Sequence, residues 1–281
     1  MTETQDYDKS SIPLPHASSH QNAGSDEIDV TQLSGVLSDQ QPSEFSIVSG
    51  LLAKFQALIS ANWTSRTSPE DNNWQYVCWS PELSIFCAVA YTGIGNRVMT
   101  SPDGITWTIG VTPEDNDWAS ICWSPDLSLF CAVASSGVGN RVMTSPDGIT
   151  WTIGVTPADN DWYSVCWSPE LSLFCAVAHT GIGNRVMTSP DGFTWTIGTT
   201  PANNNWISLC WSPDLSIFCA VASSGTYNRV MTSPDGFTWT IGVTPGLNRW
   251  AGLCWSPELS LFCAVAYLGP GNRVMTSPDG F

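Results

Sequence analysis

Basic residues are scarce in this chain of 281 residues. Lysine and arginine together number nine against 25 aspartates and glutamates, no lysine follows Lys54, and the formal net charge is −16. A surface of that sign repels phosphate backbones and anionic lipid, which argues against nucleic acid or a membrane surface as partner. Histidine is nearly missing, with only His16, His20 and His179. Cys-x8-Cys spacing without a recurring histidine is not a zinc pattern, so no metal centre is expected. Glycines Gly93 and Gly95 are followed by neither a helix nor a Lys-Ser/Thr pair, so no phosphate loop and no cofactor are expected. No apolar run reaches the roughly 18 residues of a membrane helix. Met1–His20 has no basic start and no apolar core, so no signal peptide is read and a cytoplasmic location is the expectation.

Cysteine, by contrast, is plentiful. The ten fall into the pairs Cys78/Cys87, Cys122/Cys131, Cys166/Cys175, Cys210/Cys219 and Cys254/Cys263, each inside an apolar run. Without a secretion signal they read as buried free thiols. Tryptophan reveals why the pairs recur. Trp74, Trp118, Trp162, Trp206 and Trp250 stand 44 residues apart, and nearly everything between them recurs as well.

One unit reads as four short strands. Trp74–Trp79 and Ile85–Ala90 flank a SerProGluLeuSer turn, and a glycine-rich loop, Tyr91–Asn96, leads to a third strand over Arg97–Ser101. Ser101-Pro102-Asp103-Gly104 has the proline and glycine positions of a type I turn, and Thr106–Ile109 is the fourth strand. Strict alternation puts Val77, Trp79, Phe86, Ala88 and Ala90 on one face, and Trp74, Tyr76, Cys78, Ile85, Cys87 and Val89 on the other. Both faces are apolar, so each sheet must lie between neighbours. Four antiparallel strands in 44 residues is the size of a propeller blade.

The expected fold is therefore all-β: a five-bladed propeller over 62–281. Asn62–Asn73 matches Thr106–Asp117, the fourth strand and connector of a unit, and the last unit stops at Phe281 before its own fourth strand. A ring closed by the Asn62–Thr67 strand against Arg273–Ser277 would use both fragments and remove an unpaired edge. Residues 1–42, rich in Ser, Gln, Asp and Pro, read as a disordered leader. Ile47, Leu51, Phe55 and Leu58 recur at helical spacing, so an amphipathic helix is expected over about 44–60, within a segment spanning 43–61. Its apolar stripe needs the repeat domain or a second copy as partner, which makes oligomerisation through it an expectation.

The motif SerProAspGlyIleThrTrpThr recurs with Asp103, Asp147, Asp191, Asp235 and Asp279, and with Trp107, Trp151, Trp195 and Trp239; Trp63 is the fifth tryptophan. It resembles the Asp-box of sialidase-like and photosystem II assembly factor-like propellers, one residue shorter between Asp and Gly. The resemblance covers residues 62–281. It implies a folding element at the outer edge, remote from any active site. The physics agrees, because a carboxylate accepts N–H bonds within its own turn while the indole packs beneath. The resemblance also implies that a sialidase-like enzyme would need an arginine cluster, a tyrosine with a glutamate partner, and an aspartate. The tyrosines here are scattered without a common glutamate, so no catalytic residue is assigned and no enzyme is expected.

The candidate ligand-binding residues are the recurring Asn-Arg pairs and the varying aromatics of the glycine loops. They are Asn96, Arg97, Asn140, Arg141, Asn184, Arg185, Asn228, Arg229, Asn272 and Arg273, with Tyr91, His179 and Tyr267. The arginines either pair with local aspartates across blades or form a five-fold ligand set. The acidic connectors, such as Glu114-Asp115-Asn116-Asp117, read as solvated loops, with a weak hard-cation site as the rival. Variation collects in the glycine loops, in the connectors and at Gln75, Ala119, Tyr163, Ile207 and Ala251. Loops at strand ends are where scaffolds place binding residues. The expected function is non-catalytic binding. A glycan in repeated lectin-like sites comes first, a protein partner or assembly scaffold second, and a glycoside hydrolase a remote third.

Overall fold

The computed structural model describes residues 63–281, and its regular structure is all β-strand. The leader and the helix expected over 44–60 lie outside the described residues. The first blade is β1 (Trp74–Ser80), β2 (Ile85–Ala90), β3 (Val98–Ser101) and β4 (Thr108–Gly110). The second is β5 (Trp118–Ser124), β6 (Leu129–Ala134), β7 (Val142–Ser145) and β8 (Thr152–Gly154). The third is β9 (Trp162–Ser168), β10 (Leu173–Ala178), β11 (Val186–Ser189) and β12 (Thr196–Gly198). The fourth is β13 (Trp206–Ser212), β14 (Ile217–Ala222), β15 (Val230–Ser233) and β16 (Thr240–Gly242). The fifth has three strands, β17 (Arg249–Ser256), β18 (Leu261–Leu268) and β19 (Val274–Ser277). Within each blade the strands pair antiparallel in chain order.

The first hairpin has the expected register, with Val77 opposite Ala88, Cys78 opposite Cys87 and Trp79 opposite Phe86. The ten thiols are free. Burial drives the Cys78 and Cys219 thiols up to about 12, so the buried thiolate is suppressed.

Strict alternation fails at one place. A β-bulge lies between Trp118 and Ser120, and it recurs at the start of every blade's first strand. The extra residue shifts the tryptophan to the opposite face. Trp118 therefore lies in one core cluster with Ile121, Trp123, Phe130, Ala132 and Ala134, rather than on the cysteine face. The bulge also explains the variable first-strand position. Ala119, Tyr163 and Ile207 are the extra residues, without a ladder partner to constrain them.

Each such face is covered by the cysteine face of the preceding blade. Cys87, Val89 and Val98 close over Trp118; Cys131, Val133 and Val142 close over Trp162; Cys175, Val177 and Val186 close over Trp206. A buried tryptophan removes about 150–250 Å² from water, a gross gain of about 4–6 kcal/mol at 25 cal/mol per Å². A second indole crosses the same seam. Trp123 Nε1 donates to Glu82 Oε2 at 2.6 Å, Trp167 to Asp126 at 3.1 Å, Trp211 to Glu170 at 2.6 Å and Trp255 to Asp214 at 3.1 Å. The acidic residue of each of the first four SerPro-acid-LeuSer turns thus latches the following blade.

The first strands stack in sequence, β1 on β5, β5 on β9, β9 on β13 and β13 on β17, and no comparable packing joins β17 to β1 among the described residues. Tyr76, Val77 and Trp79 are exposed on the first blade, and Val265 and Val274 on the last, whereas Ile121, Val133 and Val142 inside the stack are buried. The expected closing strand over Asn62–Thr67 is a correction. Residues 63–67 form no strand, Trp63 is fully exposed, and among the described residues β19 pairs with β18 alone. The local sequence explains why. The true fourth strands read Thr-Ile-Gly, and a Cβ on Gly110 would come within 2.5 Å of Val98 Cγ1. Arg66 stands in place of that glycine, and Ser65 in place of the isoleucine.

Candidate functional site

The two ends of the blades differ in chemistry. At one end lie the SerProAspGly turns. Ile149 N and Thr150 N donate to Asp147 Oδ1 at 2.8 and 2.7 Å, Gly148 N donates to Ser145 Oγ at 2.8 Å, and Trp151 Nε1 donates to Gly148 O at 3.1 Å. The same set recurs around Asp191/Trp195 and Asp235/Trp239. Asp103 has the same turn bonds, and N–H groups of Thr106 and Ile105 hold its carboxyl below the usual range. At Asp279 the bond comes from Phe281 N. Trp107 lies against Phe86 with centroids 6.2 Å apart. One oxygen of each of these carboxylates is engaged by its own turn. Trp63 takes no such packed position.

At the other end, glycine loops meet connectors, and most of the expected ligand residues prove to be internal fasteners. Connector asparagines that sequence reasoning passed over donate to the candidates: Asn72 to Asn96 O at 2.8 Å, Asn116 to Asn140 O at 2.8 Å, Asn160 to Asn184 O at 2.7 Å and Asn204 to Asn228 O at 2.7 Å. Asn248 donates likewise to Asn272 O. The signal was available, because this asparagine persists in all five copies while its neighbours change.

The arginines begin the same way. Arg97 donates from Nε to Gly93 O at 2.9 Å and from Nη1 to Asp117 Oδ1 at 2.9 Å; Arg141 repeats this with Gly137 O at 2.9 Å and Asp161 Oδ1 at 3.0 Å. Asp115 and Asp159 accept from Gly95 N and Gly139 N at 2.6 Å. The acidic connectors are therefore engaged in bonds of their own, and no metal-binding cluster of His, Cys, Asp and Glu occurs among the described residues.

The pattern then breaks. Arg185 meets Asn205 Oδ1 at 3.2 Å instead of an aspartate. Arg229 finds only carbonyls, Leu247 O and Asn248 O at 2.6 Å, and the residue at the register of Asp117 and Asp161 is Arg249. Burial and then the charge of Arg249 lower the proton affinity of Arg229. Tyr227 stands in the left-handed conformation, at φ 59°, where the other loops have glycine, and Leu247 replaces the aspartate that would have bonded there. A tyrosine in that region costs about 1–2 kcal/mol. Arg273 is exposed and keeps only a 3.3 Å bond to Gly269 O.

Aromatic side chains gather on this end. Tyr163 stacks on His179 with centroids 3.7 Å apart. Burial lowers the His179 proton affinity, partly offset by Asp161, and its Nε2 is buried without a partner. Burial raises the Tyr91 phenol, with the adjoining Tyr163 adding to it. His179, Asn205, Ser224, Arg229, Arg249 and Tyr267 line an open cleft of about 360 Å³. Of the expected residues, the structure brings His179, Arg229 and Tyr267 to one place.

No family model matches the chain, and no curated protein matches it in sequence. Solved structures do match in fold. A streptogramin B lyase is similar at TM-score 0.60 and 10% identity, over 76% of this chain and 72% of that one. The GH74 enzyme of Niastella koreensis is similar at TM-score 0.56 and 18% identity, over 68% of this chain and 33% of that one, so the chain spans about a third of that enzyme. The Cps50 (Swd1) β-propeller domain of Myceliophteria thermophila is similar at TM-score 0.52 and 10% identity, over 73% and 65%. At such identities the likeness speaks for architecture alone: the chain has the β-propeller fold.

Proposed function

We propose that the protein is a non-catalytic binding propeller that takes its ligand on the glycine-loop end, and that the ligand is a carbohydrate. The observation that carries this reading is the aromatic group of Tyr91, Tyr163 and His179, drawn from two glycine loops and the bulge of β9, where the copies differ. Aromatic faces offer sugar rings an apolar platform, and amides offer planar hydrogen-bond partners. The carboxylates of this end support a non-catalytic role, since Asp117 and Asp161 are held by arginines and Asp115 and Asp159 by backbone N–H groups. Because the recurring Asn-Arg pairs fasten loops, binding is expected at one or two sites rather than five. A glycan array on the full chain, with calorimetry on any hit, tests this. A sugar bound with that stoichiometry, and weakened by Tyr163→Ala, is expected; an array without a hit would overturn the sugar assignment.

A second reading, recognition of a protein, has its own observation. Ile94, Val138 and Ile182, at the tips of successive glycine loops, are 90%, 86% and 88% exposed. Aliphatic side chains aligned on one rim are a docking edge for an apolar partner surface. A partner held by the full chain and released by the triple substitution I94S/V138S/I182S would favour this reading.

A further inference from the structure

The repeat supplies its own control for the broken loop. Four arginines occupy equivalent positions, and each faces the residue twenty positions further on: Arg97 faces Asp117, Arg141 faces Asp161, Arg185 faces Asn205 and Arg229 is followed by Arg249. The first two are ion pairs at 2.9 and 3.0 Å. At the last, attraction has become repulsion. Among the described residues neither Arg229 nor Arg249 has a carboxylate within ion-pair distance. Arg229 is buried, and a buried cation without a counter-charge is costly.

Two further departures from the repeat fall at the same junction. Leu247 removes the second aspartate and Tyr227 accepts a strained backbone. The cleft lined by Arg229, Arg249 and Tyr267 also contains His179, whose Nε2 is buried and unpartnered. In a chain of net charge −16, two unneutralised guanidiniums facing one cleft are a local reversal of sign.

We propose that the cleft between the fourth and fifth blades is a single oxyanion site, taking the carboxylate or phosphate of a small polar ligand. Arg249 supplies the accessible charge, and its planar donors match either oxyanion. Arg229 supplies a fixed second charge behind it, while Ser224 and Asn205 offer hydrogen bonds and Tyr267 offers a ring face. The volume, about 360 Å³, suits a ligand of monosaccharide size. This rests on the reading that the glycine-loop end is the binding face, and it narrows the ligand class from sugars to sugars bearing an acid.

The test uses the full chain and three probes, glucuronate, glucose 6-phosphate and glucose, titrated by calorimetry. Both acids are expected to bind at one site, with glucose at least about tenfold weaker, the usual consequence of losing a charge-assisted hydrogen bond. Arg249→Asp restores the residue found at the first two junctions. It should weaken both acids by at least about tenfold while leaving the melting temperature no lower than that of the unsubstituted chain, because it removes a like-charge contact. Arg249→Gln should fall between. Acids bound no better than glucose, or bound equally by the aspartate variant, would overturn the proposal. The two readings fail differently. A glycan bound on the array and untouched by Arg249→Asp would sustain the binding face and sink the oxyanion site. Arg249-dependent binding of inorganic phosphate, with no glycan or protein bound, would do the reverse.

Discussion

A single carboxylate oxygen organises each SerProAspGly turn. Asp191 Oδ1 accepts from Phe193 N and Thr194 N at 2.8 and 2.7 Å, and Ser189 Oγ donates to it at 3.0 Å. Desolvation opposes ionisation there, but the N–H groups of Thr194 and Phe193 outweigh it and lower the acid's pKa. The sign follows. A carboxyl held more acidic in the folded chain stabilises above its unfolded pKa, near 3.9. That contribution is lost as pH falls through the lowered folded value. Asp191→Ala should cost about 1 kcal/mol at neutral pH, since the group is largely solvated. The difference from the unsubstituted chain should shrink below about pH 3. Thermal melts at pH 7 and pH 2.5 check this, and a constant difference would contradict it.

At the scale of elements, the latch between blades is an acidic turn residue. Glu170, between β9 and β10, accepts from Trp211 of β13, whose side chain is buried. Glu170→Ala leaves an indole N–H without its partner and should cost about 1–3 kcal/mol, whereas Glu170→Gln keeps an acceptor and should cost less than half as much. Denaturant midpoints would separate the two, and equal losses would mean the latch is not the cause. Much at this scale was legible in the sequence. Strand order and hairpin register followed from turn residues and spacing, because local chemistry sets both. The bulge was not legible, since alternation alone cannot show where one residue drops out of the ladder. The strand expected over 62–67 rested on a matching tryptophan and threonine, whereas Ser65 and Arg66 depart from the Ile-Gly of the other fourth strands. At the candidate site the recurring Asn-Arg pairs drew attention because they recur, yet recurrence marked fasteners. The cleft lies beside Arg249, where the repeat's aspartate is lost.

At the scale of the described blades, the first strands pack in chain order, β1 on β5, β5 on β9, β9 on β13 and β13 on β17. Among the described residues no blade covers the outward faces of the first and last, where Tyr76, Val77, Val265 and Val274 are exposed. Such a row behaves thermodynamically as a one-dimensional lattice, in which stability is a sum of nearest-neighbour couplings. A middle blade has two couplings and an end blade one. Amide exchange should therefore be slowest in β9, β10 and β11, and faster in β1 and in β17 to β19, although the sequences are nearly the same. Uniform protection across the five blades would show that the row unfolds as one unit. If the gradient is found, identical substitutions cease to be equivalent. Cys175→Ser and Cys263→Ser alter the same residue of the same repeat, but the first disturbs a seam in the interior of the lattice and the second only its boundary. The position of a blade in the row, rather than its sequence, would then set how much a given mutation costs.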